Sequence, residues 1–381
     1  MMSSRGALTA LLLLVASMGG CDAARSKPGS LLTSRPLGPT TPGPVKNKKP
    51  LIGILTQPCH TCPGKSYIAA GFVKWIEAAG GRAVPIRFYA SDEELYRIFK
   101  SINGLVFPGG LTWLWLDAPY VITARKLFNW AVQANDAGDV FPIHGTCLGF
   151  QLLHILASNI SRNVLLVDTD SVAHPTTLKF WGSDAADNSR MFASMPAHLR
   201  DALESPEQNI VLQNHMYGMP PTMYTKHPVL ASWYNIISTS MDRNGTEYIS
   251  TMEGKKYPFT GTQWHPEKPP SEFGMLEVPH SIEAISVSQH LANMFMESAR
   301  RSSHVPESKE AELALLIYDT CPVFSERFET TDEENYDGPD ITYYFDKPDH
   351  PPSGPDDSLH KSKARAQLQQ VAQHPDGFFL G

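Results

Sequence analysis

Cys147 sits between two glycines in the run Gly145-Thr146-Cys147-Leu148-Gly149, with the apolar segment Phe141-Pro142-Ile143 before it and the helical segment Gln151 to Leu156 after it. A strand that turns abruptly into a helix needs small residues beside the turn, and the residue at the apex is presented as a nucleophile. The helix start supplies N–H groups and positive potential, which favour a thiolate and can stabilise an oxyanion. Taken alone, the same residues also describe a buried cysteine packed beside glycines. A second segment decides between the two. Gly261-Thr262-Gln263-Trp264-His265-Pro266-Glu267 offers a histidine to serve the thiol and a carboxylate two residues on to orient that histidine. Thiol, base and orienter are the roles that thiol acyl transfer requires. Pro108-Gly109-Gly110, at the end of another expected strand, adds backbone N–H groups that can complete an oxyanion hole.

The elements that must position these residues read as an alternation of strands and helices. Leu51 to Leu55 is apolar without alternation, as in a strand buried on both faces. Helical spacing follows over Tyr67 to Ala79, ended by Gly80-Gly81, then a strand at Ala83 to Ile86 and a helix at Asp92 to Ser101 with Ser91 as N-cap. Gly104 to Phe107 reads as a strand, Val121 to Ala137 as a helix and Val140 to Ile143 as a strand. Later strands are expected at Val164–Val167, Ile210–Leu212, Val229–Trp233 and Tyr248–Thr251, with a helix near Ile282 to Arg300. This pattern predicts a doubly wound α/β fold with a mostly parallel sheet flanked by helices and its function at the carboxyl ends of the strands.

Composition bounds the rest. Of 381 residues, 42% are hydrophobic and 19% charged, enough to bury a sizeable core; 31 prolines and 27 glycines show no collagen-like triplet. Lys plus Arg number 32 against 39 for Asp plus Glu, a net charge of -7, which argues against nucleic acid as a partner. Arg5, the apolar stretch Ala7 to Ala16 and the small residues after it read as a secretory signal over 1–24, rather than an uncleaved anchor or mitochondrial presequence. No later stretch reaches the ~18 apolar residues of a membrane span. Residues 25–50 read as a flexible leader, 51–346 as the catalytic domain and 347–381 as a disordered tail. Sequons at Asn159 and Asn244 fit a lumenal route. Five cysteines are too few for a disulfide scaffold, and Cys59-His60-Thr61-Cys62 reads as a loop cysteine or a disulfide to Cys321 rather than a zinc or redox site.

Four blocks in order, Ile52 to Pro58, Asn103 to Gly110, Gly145 to Phe150 and Gln263 to Lys268, resemble class I glutamine-amidotransferase-like (flavodoxin-like) domains and, among them, the gamma-glutamyl hydrolases. The resemblance covers about 51–346. It implies Cys147 as nucleophile, His265 as general acid/base, Glu267 as orienter, and the Gly110 and Leu148 amides as the oxyanion hole. It also suggests substrate contacts for Tyr67 and His215, a homodimer, and no metal or organic cofactor. The implied reaction is hydrolysis of folyl poly-gamma-glutamates in the extracellular space or in a lysosome or vacuole; basic residues should then line the cleft. Glutamine amidotransfer and a catalytically silent secreted binding module are the competing readings. One departure stands out: many relatives carry Glu where this chain has Gln151, and an amide cannot act as a charged partner.

Overall fold

The computed structural model describes residues 44–59, 63–325 and 338–346. The segments expected to be a signal and a tail, and most of the expected leader, lie outside the described residues. β1 (Leu51–Leu55) sends Leu51 and Leu55 into one apolar cluster and Ile52 and Ile54 into another, so its unbroken apolar run fills both faces of a sheet. The short strands β2 (Gln57–Pro58) and β3 (Ser66–Ala69) lead to α1 (Ala70–Ala78), which buries Phe72, Val73 and Ile76, and then to β4 (Arg82–Ile86). In α2 (Asp92–Ser101) the Ser91 hydroxyl accepts from Glu94 N at 3.2 Å, and three acidic residues in the first turn with Lys100 in the last complement the helix dipole. β5 (Gly104–Phe107) follows, and α3 (Pro119–Asp136) starts on a proline whose fixed φ suits the first helical position.

β6 (Ile143–Thr146) turns into α4 (Leu148–Ser158), followed by α5 (Arg162–Leu165), β7 (Val167–Thr176), β8 (Lys179–Phe180), α6 (Ala185–Asn188) and α7 (Ala197–Glu204). Next are β9 (Val211–Gly218), α8 (Thr222–Lys226), α9 (Pro228–Trp233), β10 (Tyr234–Met241), β11 (Glu247–Gly254) and β12 (Phe259–Thr262). α10 (Ile282–Ala299), α11 (Lys309–Leu315), β13 (Val323–Phe324) and β14 (Ile341–Phe345) complete the order.

The main sheet has the order β4-β1-β5-β6-β12-β11-β10-β8. Its first five strands are parallel neighbours and the last three continue antiparallel, which bears out the doubly wound α/β expectation. One apolar cluster packs α2, α3 and α4 on one face; the other packs α1, α7 and α10 on the opposite face. The chain leaves β1 to β4 on one side and to β5 on the other, the reversal of strand order at whose carboxyl side open α/β sheets bind their ligands. Smaller sheets join β13-β14-β3-β2 and β7-β9. No helix among the described residues is long and apolar enough to cross a membrane.

The structure corrects several local expectations. Tyr67 lies in β3, and α1 starts only at Ala70. The strand expected at Val140–Ile143 starts at Ile143, because both backbone groups of Phe141 are taken by the Asn135 side chain, at 3.2 and 2.8 Å. Val164 lies in α5 and Val229–Trp233 in α9; short apolar runs do not tell helix from strand, and Pro228 initiates the latter helix. Lys46 and Asn47, expected in a flexible leader, each donate a backbone N–H to Arg300 O at 2.9 Å. A Cys59–Cys321 disulfide does not form: Cys321 is a free, exposed thiol, while Cys59 is disulfide-bonded elsewhere. Cys59 follows β2 and Cys321 precedes β13, at opposite edges of a four-stranded sheet. Three strand spacings are about 14 Å, twice the Cα separation a disulfide spans.

Asn103, fully buried in the turn before β5, ties the start of β1 to the chain after α10. Its Oδ1 accepts from Leu51 N at 2.9 Å and from Asn47 Nδ2 at 3.0 Å, and its Nδ2 donates to His304 O at 2.8 Å. Asn103→Ala leaves these groups without their partner and should lower stability by about 2–3 kcal/mol in urea denaturation. A loss under about 0.5 kcal/mol would show that water replaces the amide.

Candidate active site

Cys147 has φ 52° and ψ −106°, outside the regions comfortable for a residue with a Cβ, a cost of order 1–3 kcal/mol. The surroundings hold it there. Cys147 N donates to Thr262 O at 2.7 Å, and Cys147 O accepts from Gln151 N at 3.1 Å as α4 begins. A Cβ on Gly145 would lie 2.5 Å from Gly149 O, and one on Gly149 would overlap the Phe107 carbonyl of β5. Both glycines are therefore needed for the elbow to close against the sheet. Leu148 is the first residue of α4, so its N–H has no acceptor within the helix and points with the helix start.

Parallel pairing brings the partners to the thiol. Phe107 pairs with Gly145, and Gly145 with Gly261, so the turns after β5, β6 and β12 leave the sheet side by side. A Cβ on Gly109 would lie 3.4 Å from Cys147 Cβ and 2.8 Å from His265 Cε1, which places the three turns in contact. His265 is fixed by its backbone N–H, donated to Leu212 O at 3.0 Å, and by its neighbour Trp264, whose Nε1 donates to Thr251 Oγ1 at 3.1 Å. Gly110, with φ +156°, packs on Gln57, whose Nε2 donates to Tyr120 Oη at 2.9 Å and to Pro108 O at 3.3 Å. That brace fixes the loop whose amide was expected in the oxyanion hole.

His265 Nδ1–H donates to Glu267 Oε1 at 2.7 Å, with both side chains buried. This bond sets the tautomer and leaves Nε2, which is buried and has no hydrogen-bond partner, for proton transfer. Burial pushes the imidazole pKa down, but the Glu267 carboxylate and Cys147 together outweigh it and raise the value to about 9. For Glu267 burial works upward, yet the facing imidazolium and Lys268 hold the carboxyl below its ordinary range. The thiol donates to Asn214 O at 3.6 Å. A buried imidazole with an uncommitted Nε2 beside a thiol at a helix start is the arrangement of a cysteine nucleophile and its base.

The other expected residues are placed as follows. Tyr67, half-buried, pairs in β3 with Gln57 and lies near enough to Tyr120 to add to the upward push that burial gives that phenol. His215 is buried, with Nδ1 3.1 Å from Thr169 Oγ1 and Nε2 3.1 Å from Gln213 Oε1. Burial, then the charge of His265, push it down to about 3, so it is a neutral neighbour of the base with both nitrogens engaged inside the protein. Gln151 Nε2 donates to Tyr217 O at 2.8 Å and to Gln263 Oε1 at 3.2 Å. Sequence reasoning missed Asn214 and Tyr120 as neighbours of the site; Thr262 and Gln57 lay within noted segments, but nothing local marked the one as acceptor for Cys147 N or the other as the brace under Gly110.

The Peptidase C26 family profile matches residues 50–267. The gamma-glutamyl hydrolase of Bos taurus is 40% identical over 294 residues, 76% of this chain and 90% of that protein. The gamma-glutamyl hydrolase of Homo sapiens is 38% identical over 329 residues, 85% and 96% of the two chains. Gamma-glutamyl hydrolase 1 of Arabidopsis thaliana is 35% identical over 320 residues, 82% and 86%.

Glu267→Gln removes the larger of the two charges that offset burial at His265, so the imidazole pKa should fall from about 9 toward its ordinary 6.5. Titration of the His265 Cε1–H resonance by NMR checks this. A value still near 9 would take the charge-stabilising role away from Glu267.

Proposed function

The chain belongs to the Peptidase C26 family, and from that premise we propose that it is a cysteine hydrolase of γ-glutamyl bonds whose substrates are folyl poly-γ-glutamates. One observation carries the chemistry: the thiol and the buried His265–Glu267 pair meet at the ends of adjacent parallel strands. The Cys147 thiolate attacks the γ-carbonyl carbon, and the oxyanion that forms is met by the Leu148 and Gly110 amides. As the C–N bond breaks, His265 Nε2–H gives its proton to the departing α-amine of the next glutamate. Water then loses a proton to Nε2, attacks the thioester carbon and releases the thiolate together with the acid. Glu267 stabilises the imidazolium that both halves of the cycle need.

The same reading routes the protein through the secretory pathway to the extracellular space or to a lysosome or vacuole. It includes glycan on Asn159, Asn244 or both. Asn159 is exposed at the end of α4, and Asn244 is exposed in the turn between β10 and β11, so each side chain is open to modification.

Cys147→Ala and His265→Ala should each lower turnover of a γ-glutamyl folate by at least about a thousandfold while the protein stays folded. Chromatography should show glutamate or short γ-glutamyl peptides beside a shortened folate. Ammonia released from glutamine, with the polyglutamate left intact, would instead establish an amidotransferase-type glutaminase; loss of neither reaction in Cys147→Ala would remove the thiol from the mechanism. For the secretory reading, peptide-N-glycosidase treatment of protein from its native source should reduce its mass. Asn159→Gln, Asn244→Gln or the two together should account for that change, and an unchanged mass would reject glycosylation at both.

A further inference from the structure

Beside the elbow, three separate elements bring one cation between two aromatic rings. Arg162 opens α5, just after the elbow helix, and its guanidinium carbon lies 4.4 Å from the ring centroid of Tyr217 and 5.7 Å from that of Trp115. Trp115 stands in the loop that follows Gly110 and stacks on Trp113 at 6.0 Å with an interplanar angle of 20°. Tyr217 lies on β9, where its carbonyl takes the Gln151 amide at 2.8 Å. Three residues earlier on the same strand, Asn214 O faces Cys147 Sγ at 3.6 Å. At ~3.3 Å per strand residue, the arginine cluster is thus anchored about 10 Å along β9 from the thiol.

The other arginines with charged partners are committed: Arg82 to Glu312, Arg87 to Asp346, Arg190 to Glu253, Arg200 to Asp187 and Arg243 to Asp170. Arg162 makes no ion pair among the described residues; burial pushes its pKa down, while the Tyr217 side chain, which also takes one of its N–H donors in a hydrogen bond, and the charge of Asp168 push it up. A guanidinium flanked by rings keeps its N–H donors in its own plane, the edge that takes a carboxylate in two parallel hydrogen bonds. Partial burial between the rings strengthens such a pair relative to one in open water. The chemistry of a γ-linked chain supplies the partner. Each residue joined through its side-chain carboxyl keeps its α-carboxylate free, whereas an α-linked chain has spent it in the peptide bond.

We propose that Arg162, held between Trp115 and Tyr217, binds an α-carboxylate of the γ-glutamyl chain next to the scissile bond and so selects γ-linked over α-linked glutamate. This rests on the γ-glutamyl reading above and names the specificity-determining residue within it.

The test uses the full-length protein, a γ-linked triglutamate folate, and analogues in which one α-carboxylate at a time is replaced by the carboxamide. Wild type should lose at least about tenfold in kcat/KM on one analogue, mostly through KM, since an edge-on pair of this kind is worth at least that. Arg162→Gln, with unchanged circular dichroism and melting temperature, should be weaker by a similar factor on the parent and should treat parent and analogue alike. Arg162→Lys keeps the charge but not the two-pronged edge, and should fall between them; it serves as the comparison if the Gln variant does not fold. Wild-type discrimination persisting on every analogue in a folded Arg162 variant would overturn the proposal. If wild type cleaves no γ-glutamyl substrate, the hydrolase reading fails by itself, and calorimetric binding of parent and carboxamide peptides to Cys147→Ala, with and without Arg162→Gln, decides the subsite: equal discrimination in both proteins, or no binding in either, overturns it.

Discussion

Everything at the site hangs on the register of three parallel strands. Phe107, Gly145 and Gly261 lie abreast on β5, β6 and β12, so three turns leave the sheet together carrying the Gly109-Gly110 amides, the thiol and the imidazole. A shift of one residue in β12 would turn its side chains to the other face and carry His265 away from Cys147. The backbone strain at Cys147 persists because the same register supplies its restraint: Thr262 O, at the end of β12, accepts from Cys147 N at 2.7 Å. Gly149 lets the elbow close on Phe107 in the neighbouring strand. The strained nucleophile and its base are thus fixed by one set of hydrogen bonds, and what loosens one displaces the other.

Charge is arranged to match. Burying an imidazolium and a carboxylate is costly unless each faces the other, and leaving either alone would be worse than removing both. The 2.7 Å contact between His265 Nδ1 and Glu267 Oε1 answers this, and the raised imidazole pKa follows from it together with Cys147. His215 and His144 show the converse. Both are buried, face hydroxyl or amide oxygens rather than a paired carboxylate, and are pushed down to about 3 and about 4. Of His144, His215 and His265, only the last, given a carboxylate partner at hydrogen-bond distance, stays cationic, which is what a proton donor to an amine leaving group needs.

The sequence displayed what depends on neighbours along the chain. Unbroken apolar β1, the capped and amphipathic α2 and the Gly-x-Cys-x-Gly elbow are local signals, and all appear where their residues foretell them. Cys147, His265 and Glu267 were legible because glycine spacing and the two-residue His-to-Glu offset are themselves local. What stayed hidden is non-local. β12 is four residues of Phe, Thr and Gly whose strand character comes from pairing with β6 and β11. α9 and β10 divide one apolar stretch at Tyr234, a boundary set by Pro228 and by packing rather than by period. Asn214 reaches the thiol through a backbone carbonyl, which no residue type announces. Trp115, Arg162 and Tyr217 come from three distant segments and meet only in the fold.

Gln151 shows how a departure from the expected motif becomes intelligible in the structure. Its buried amide nitrogen is set between two acceptors, Tyr217 O at 2.8 Å and Gln263 Oε1 at 3.2 Å. An ionised carboxylate at this position would face two oxygens with nothing to donate, and burial would add to that repulsion; only the protonated acid could take the place of the amide. In this chain, then, residue 151 is a neutral tie between the elbow helix, β9 and the end of β12, and the negative charge that supports His265 comes from Glu267. Since Tyr217 is also one of the two rings that hold Arg162, the amide fixes the backbone on which that cation rests. A neutral donor here adds no second buried anion to the elbow helix, and the position serves to hold together the strand and helix beside the nucleophile.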